Sequence, residues 1–321
     1  MHHRSSRFSS RRLVAVAAAA GLAVTGLASL PASAAQDGNG DSNPRGPADS
    51  PGQILFDDFN YSGHDDPRIG QNGWIVKSGF GGPGVPGATW KPENITFPAI
   101  GGNSVMNLES GTNGTAAGTE QTELYTSAMK FKKGTYAARV KFSDLPRFGP
   151  DGDHTVQTFF AINEIQSPLH PAYSEYDFEY LPNGGWGEPA NIMYTTSWET
   201  YQEDPWVADN THTSDRSSYD GWYDLVFTID DQQITYYING QLFGTHDAYY
   251  LPERPMSINF NHWFIDLQGQ TSTQPRAYDQ QVDYVYFAKN TILTPQQVQA
   301  QVAAYRADGV TFRDNVPPRK D

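Results

Sequence analysis

Residues 174–181 read Ser174-Glu175-Tyr176-Asp177-Phe178-Glu179-Tyr180-Leu181, an alternation of acidic and aromatic side chains. Successive side chains of a β-strand point to opposite faces. A strand here therefore puts Glu175, Asp177 and Glu179 on one face and Tyr176, Phe178 and Tyr180 on the other. The aromatic face reads as core. The acidic face then opens on solvent or on a cleft, and its like charges repel at this spacing. Neither Lys nor Arg lies in the strand to pair them. One reading is a solvated edge strand whose acids keep the surface soluble. The other is the floor of a working site, which the aromatics that follow, Trp186, Trp198, Tyr201 and Trp206, favour. Flat rings beside paired carboxylates suit a sugar polymer, since rings stack on pyranose faces while acids act on the glycosidic bond.

Outward from this stretch, short runs of β-branched and aromatic residues recur between clusters of Gly, Pro, Asn and Asp. They predict strands at 104–108, 122–127, 135–142, 155–162, 175–181, 192–196, 223–229, 233–238, 241–245, 256–264 and 281–287. Many short strands with turn chemistry between them, and no alternating helices, predict an all-β sandwich or barrel. Asn239-Gly240 predicts a type I′ hairpin between ITYYI and QLFGT. One helix is expected near the end: Thr294 caps it, Pro295 takes its first position, and Gln297 completes a capping box. Val298, Val302 and Tyr305 share its apolar face before Gly309.

The 321 residues carry 36 Asp and Glu against 22 Lys and Arg, a net charge of -14. That balance excludes a nucleic-acid binder, whose phosphate contacts need clustered Lys and Arg. It argues equally against anionic membranes. The absence of Cys excludes disulfides, thiolate metal sites and a Cys nucleophile. Arg4, Arg7, Arg11 and Arg12 precede an apolar run and then Ala32-Ser33-Ala34, the plan of a secretory signal peptide over 1–34. The expected mature protein is secreted, and loss of those four Arg takes its charge to -18. Residues 35–53 read as a flexible leader, 54–289 as one catalytic domain, and 290–321 as a C-terminal helical appendage.

The chain resembles glycoside hydrolase family 16, the concanavalin A-like β-jelly rolls that include lichenases, laminarinases and xyloglucan transglycosylases. The resemblance rests on Glu175-Tyr176-Asp177-Phe178-Glu179 and on motifs in order around it. These are Phe56-Asp57-Asp58-Phe59, Glu123-Leu124-Tyr125-Thr126-Ser127, Gly134-Thr135-Tyr136, Thr158-Phe159-Phe160, Trp222-Tyr223-Asp224, Tyr237-Ile238-Asn239-Gly240, Asn261-His262-Trp263 and Val282-Asp283-Tyr284-Val285. It implies Glu175 as nucleophile, Asp177 as its assistant and Glu179 as general acid/base of a retaining endo-glycosidase. Glu123, Trp186, Trp198, Asn261 and Trp263 would line the sugar groove. A structural calcium ion near Asp58 and Asp283 is implied by many members, while the reaction needs no cofactor. The lead-in SPLHPAYS departs from the family's Trp-Asp, which detaches this chain from lichenase subsite detail.

The expected activity is hydrolysis of a polysaccharide, a β-1,3- or mixed β-1,3/1,4-glucan, by a monomer. A transglycosylase on the same residues and a non-catalytic carbohydrate-binding protein are the alternatives. Geometry constrains the catalytic reading. The Cα atoms of Glu175 and Glu179 lie about 13 Å apart on an extended strand, whereas retaining carboxyl groups lie about 5–5.5 Å apart. The side chains must therefore lean together over a concave sheet. Other motifs fail. Gly79-Phe80-Gly81-Gly82-Pro83-Gly84 lacks the helix of a dinucleotide site, and there is no G-x-S-x-G or H-E-x-x-H. His154, His170, His212 and His262 are expected in loops or the groove, and Asp151-Gly152-Asp153 as a turn.

Overall fold

The computed structural model describes residues 52–318; the expected signal peptide and the leader up to residue 51 lie outside them. Two antiparallel layers face each other. In chain order their main strands are β1 Ile54–Asp57, β2 Trp74–Val76, β3 Met106–Thr112, β4 Glu120–Thr126 and β5 Gly134–Phe142. They continue with β6 Thr155–Ile162, β7 Glu175–Leu181, β8 Ile192–Gln202, β9 Val207–Asp215 and β10 Gly221–Ile229. The last are β11 Gln233–Ile238, β12 Gln241–Asp247, β13 Ser257–Phe264, β14 Arg276–Lys289 and β15 Phe312–Asp314. The inner sheet runs β9–β8–β7–β6–β13–β4–β2. The outer sheet runs β12–β11–β10–β5–β14. The long β14 then pairs with β1 through one half and with β3 through the other. This is a β-jelly-roll sandwich.

The acid-aromatic strand β7 lies inside its sheet, between β6 and β8, and not at an edge. Period-two alternation sends Tyr176, Phe178 and Tyr180 into the main core, where they meet Phe142, Phe159, Phe227 and Tyr236. Burying each such aromatic stabilises the sandwich by roughly 1.5–3 kcal/mol. The opposite face carries the three acids.

Local signals act as the residue types require. Asn239 and Gly240 both take positive φ between β11 and β12, the geometry of a type I′ turn. The C-terminal helix, Pro295–Ala307, starts on the Thr294–Gln297 capping box and buries Val298, Val302 and Tyr305. That helix packs on the outer sheet against Phe56, Ala137 and Tyr286. The chain beyond it returns as β15, which adds to β1. The C-terminal segment thus contributes a strand to the outer sheet as well as a helix. β9 and β15 carry no alternating apolar residues, and β8 and β14 extend beyond their predicted bounds.

Among the histidines, His262 departs from the expectation of a loop or groove residue. It sits fully buried on β13, its Nδ1 3.2 Å from the Leu108 carbonyl oxygen, and burial lowers its pKa to about 4. The Asp151–Asp153 segment is a loop that delivers Asp153 to a fully buried ion pair. Arg276 donates to both Asp153 oxygens, at 2.5 and 2.7 Å, and the Tyr278 hydroxyl lies 3.0 Å from one of them. Removing one partner of such a pair strands a charge in the interior. The substitution Arg276→Met is expected to cost about 3–5 kcal/mol of unfolding free energy in urea titration. A loss below about 1 kcal/mol would show that the pair does not anchor this loop.

Candidate active site

The register of the inner sheet decides which residues share the floor. Glu179, Asp177 and Glu175 stand opposite Thr158, Phe160 and Ile162 of β6, and opposite Tyr194, Thr196 and Trp198 of β8. On β13 and β4, Asn261 stands opposite Glu123, and Asn259 opposite Tyr125. Directly paired residues project to the same side of a sheet. The predicted residues Glu123, Trp198, Asn261 and Trp263 therefore join the three acids on one face of the sheet.

Each contact has a specific role. Trp198 donates its indole N–H to Asp177 Oδ2 at 3.0 Å. The Thr158 hydroxyl donates to Asn261 Oδ1 at 2.6 Å, which fixes that amide beside the Glu179 end of β7. Glu123 accepts from Lys77 Nζ at 2.5 Å, and the same ammonium sits 3.9 Å over the Trp90 ring. Trp263 is 8% exposed and packs with Trp90, Val156 and Trp186, so it supports the groove more than it presents a face. Trp186 is 51% exposed and Trp206 63% exposed. Trp198, Tyr201 and Trp206 form a contiguous aromatic cluster with centroids 6.0–6.4 Å apart.

The glycine-rich loop packs against Trp263 and Trp90. Gly84 has φ +97°, and a Cβ there would stand 2.5 Å from Gln121 Oε1 and 3.1 Å from Trp263. Only glycine lets the loop approach so closely. This loop carries Phe80, 77% exposed.

Three carboxyl groups on one partly dehydrated face cannot all ionise freely. Burial, followed by the charges of Glu175 and Glu179, pushes Asp177 well above the usual carboxylate range despite the Trp198 hydrogen bond. Burial and the Glu175 charge raise Glu179 to about 8. Glu175 is raised by burial to about 7, against hydrogen bonds from Tyr173 and Asp177 that favour its ionised form. Asp177 thus holds a proton and shares it with Glu175, the carboxylate of the set that ionises most readily. Glu179 has no such donor and stays protonated to higher pH. One carboxylate and one carboxylic acid on a common face can supply a nucleophile and a general acid.

Tyr173 was not among the predicted residues. It lies before β7 begins, in a turn that follows His170, so no strand period marks it in the sequence. Lys77 and Thr158 were missed as well, since their roles arise only from strand pairing.

The two acids implied for calcium lie on the opposite side of the sandwich, and their surroundings do not suit that ion. Arg306 of the C-terminal helix donates to both Asp283 oxygens at 2.9 and 3.2 Å, and Arg139 lies 3.7 Å from Asp283. Burial raises Asp58 to about 6, with the Arg306 charge opposing and the Asp283 charge adding. Calcium takes six to eight oxygen ligands, and no group of three or more Asp, Glu or His suited to a metal occurs among the described residues. A guanidinium meets Asp283 instead, while Asp58 Oδ1 is buried without a hydrogen-bond partner among the described residues.

The fold matches that of a Bacillus licheniformis β-glucanase with TM-score 0.53 and 17% identity, over 74% of this chain and 99% of that one. A mixed-linkage-glucan GH16 protein of Bacteroides ovatus, solved with a product, matches with TM-score 0.54 and 16% identity, over 72% and 98%. The κ-carrageenase of Pseudoalteromonas carrageenovora, solved with a κ-carrageenan oligosaccharide, matches with TM-score 0.53 and 16% identity, over 77% and 98%. No protein-family model and no curated protein matches the sequence. The chain has the jelly-roll fold of these proteins.

With Arg306 in place, the thermal midpoint is expected to be the same in EDTA and in millimolar calcium. Arg306→Met should lower stability by about 1–3 kcal/mol, the cost of leaving partly buried carboxylates without their charged donor. A midpoint that rises with calcium in the unaltered protein contradicts the guanidinium assignment.

Proposed function

We propose that this protein belongs to glycoside hydrolase family 16 and is a secreted, retaining endo-glycosidase of a neutral β-glucan with 1,3 or mixed 1,3/1,4 linkages. One observation carries the reading: Glu175, Asp177 and Glu179 share one face of a central strand, with Trp198 hydrogen-bonded to Asp177 and the Trp198–Tyr201–Trp206 cluster beside them. Solved proteins of this fold that are named for glycans support it.

In the proposed reaction Glu175 attacks the anomeric carbon as the carboxylate. Glu179 gives its proton to the departing glycosidic oxygen, leaving a covalent glycosyl ester on Glu175. Glu179, now ionised, takes a proton from water, whose oxygen attacks the same carbon and releases the sugar with its original configuration. Asp177 keeps its hydrogen bond to Glu175 and compensates the charge that the nucleophile loses and regains. The exposed faces of Trp186 and Trp206 supply stacking area for pyranose rings. The neutral substrate follows from charge. Glu123 is paired with Lys77 and Glu188 with Arg216, so these cations are already committed. A sulfated or uronic polymer would meet a repelling field.

The test is a panel of purified β-glucans, carrageenans and alginates, with product sizing and NMR of the first anomer released. Internal cleavage of a β-glucan with retention is expected. Glu179→Gln should lower kcat/KM by about 10²–10⁴-fold, and Glu175→Gln by more. The sign of the pH dependence follows from the two roles. Glu175 must be ionised and Glu179 protonated, so activity should rise through about pH 7 and fall through about pH 8. Full activity in either Gln variant overturns the site assignment. For export, the secreted protein is expected to begin at Ala35; a mature chain that still holds Arg11 and Arg12 contradicts it.

A further inference from the structure

We infer that Tyr173 is a positioning residue that holds the Glu175 carboxylate through its buried hydroxyl, a role that rests on the glycosidase reading above. Tyr173 is 1% exposed, and its hydroxyl donates to Glu175 Oε2. A phenol has one proton to give, and here it goes to the proposed nucleophile. The segment that carries Tyr173 is the SPLHPAYS lead-in.

That segment is clamped on both sides. Asn163 donates from its side chain to the Ala172 carbonyl at 2.9 Å and accepts from the Ser174 N–H at 3.2 Å. The Leu169 N–H donates to the Tyr201 carbonyl at 3.0 Å, and the Thr200 hydroxyl donates to the His170 carbonyl at 3.0 Å. The Tyr201 ring then packs edge-on against Tyr173, with centroids 5.2 Å apart. The hydroxyl therefore approaches Glu175 from a direction fixed by backbone on one side and by an aromatic ring on the other. It stays a donor across the working range, because burial and the neighbouring carboxylates push its own ionisation well up.

The groups that face Glu175 are Asp177 and Glu179 on its own strand, Tyr173 from the lead-in, Tyr201 from β8, and Glu123 with its partner Lys77 across the sheet. Glu179 and Glu123 disfavour its charge, while Tyr173 and Asp177 favour it by hydrogen bonding. Two donors on one carboxylate do two things. They keep it ionised, and they limit its rotation so that the attacking oxygen points into the groove. Tyr173 transfers no proton in either step. When the glycosyl ester is hydrolysed, Glu175 leaves as a carboxylate, and the Tyr173 hydroxyl meets the returning charge.

The experiment uses the full chain with Tyr173→Phe, and Tyr136→Phe as a control that removes a buried hydroxyl bonded only to the Lys132 carbonyl in the outer sheet. Glu175 is titrated directly by carbon NMR of glutamate labelled at the carboxyl carbon, its signal assigned by loss in Glu175→Gln. Tyr173→Phe is expected to move the Glu175 titration up by about one pH unit. It should move the acidic limb of kcat/KM by the same amount and lower kcat about 10–100-fold, with KM changed less than kcat. Tyr136→Phe should alter the melting temperature and neither titration nor pH profile. An upward titration shift in a protein that cleaves no polysaccharide supports the contact and defeats the glycosidase reading. An unshifted Glu175 with an unaltered profile, in an enzyme that does cleave a β-glucan, overturns the positioning role.

Discussion

Three carboxyl groups on one face of a strand in the middle of a sheet are the constraint around which this molecule is organised. Within the interior of a sheet they lose most of their water, and at two-residue spacing they repel one another. Such a strand is stable only if some of the acids keep their protons and the rest find donors. Both devices are present. Asp177 keeps a proton under the combined influence of burial and its neighbours, and Tyr173 and Trp198 donate to the set from the two flanking segments. The cost is met on the other side of the same strand, where Tyr176, Phe178 and Tyr180 are wholly buried in the main core. One eight-residue alternation thus holds a strained electrostatic arrangement in place with the packing of its opposite face.

How far this was legible in the sequence depends on the range of the interaction. Features set by neighbours along the chain were readable: the alternation of β7, the Asn239-Gly240 turn and the Thr294–Gln297 capping box each follow from side chains within a few positions. Features set by pairing were not. β9 carries Asn210, Thr211, His212 and Thr213 with no apolar period, and it is a strand because β8 offers it an edge. β15 is three residues long and exists because β1 has a free side after β14 has paired with the other. The extra length of β14 has a similar origin, since its two halves serve different partners.

The same distinction runs through the site. The acids and the exposed Trp residues announce themselves by type, and the resemblance to family 16 orders them. Tyr173, Lys77 and Thr158 are ordinary residues until the fold gives them partners. Arg306 is the clearest case. In the sequence it is one cation on an amphipathic helix 23 residues beyond Asp283, and nothing local connects them. The helix docks by Val298, Val302 and Tyr305 on the outer sheet, and that docking alone carries the guanidinium to Asp283. One of the two acids that invite a metal ion on sequence grounds, Asp283, is thereby met from within the chain.

Fold likeness does not choose a substrate, because a β-glucanase and a κ-carrageenase match this chain with the same TM-score. The choice must come from the groove. A polyanion needs cations free to leave their present partners, and two basic groups placed near this face are engaged: Lys77 with Glu123 and Trp90, and Arg216 with Glu188. Freeing Lys77 for a sulfate would leave the nearly buried Glu123 carboxylate unpaired, so the gain from the new contact would be offset by the loss of the old one. Stacking on Trp186 and Trp206 requires no such exchange, since their exposed faces give up only water. On the proposed reading, the charge pairing that stabilises the groove walls is therefore also what turns the groove towards an uncharged polymer.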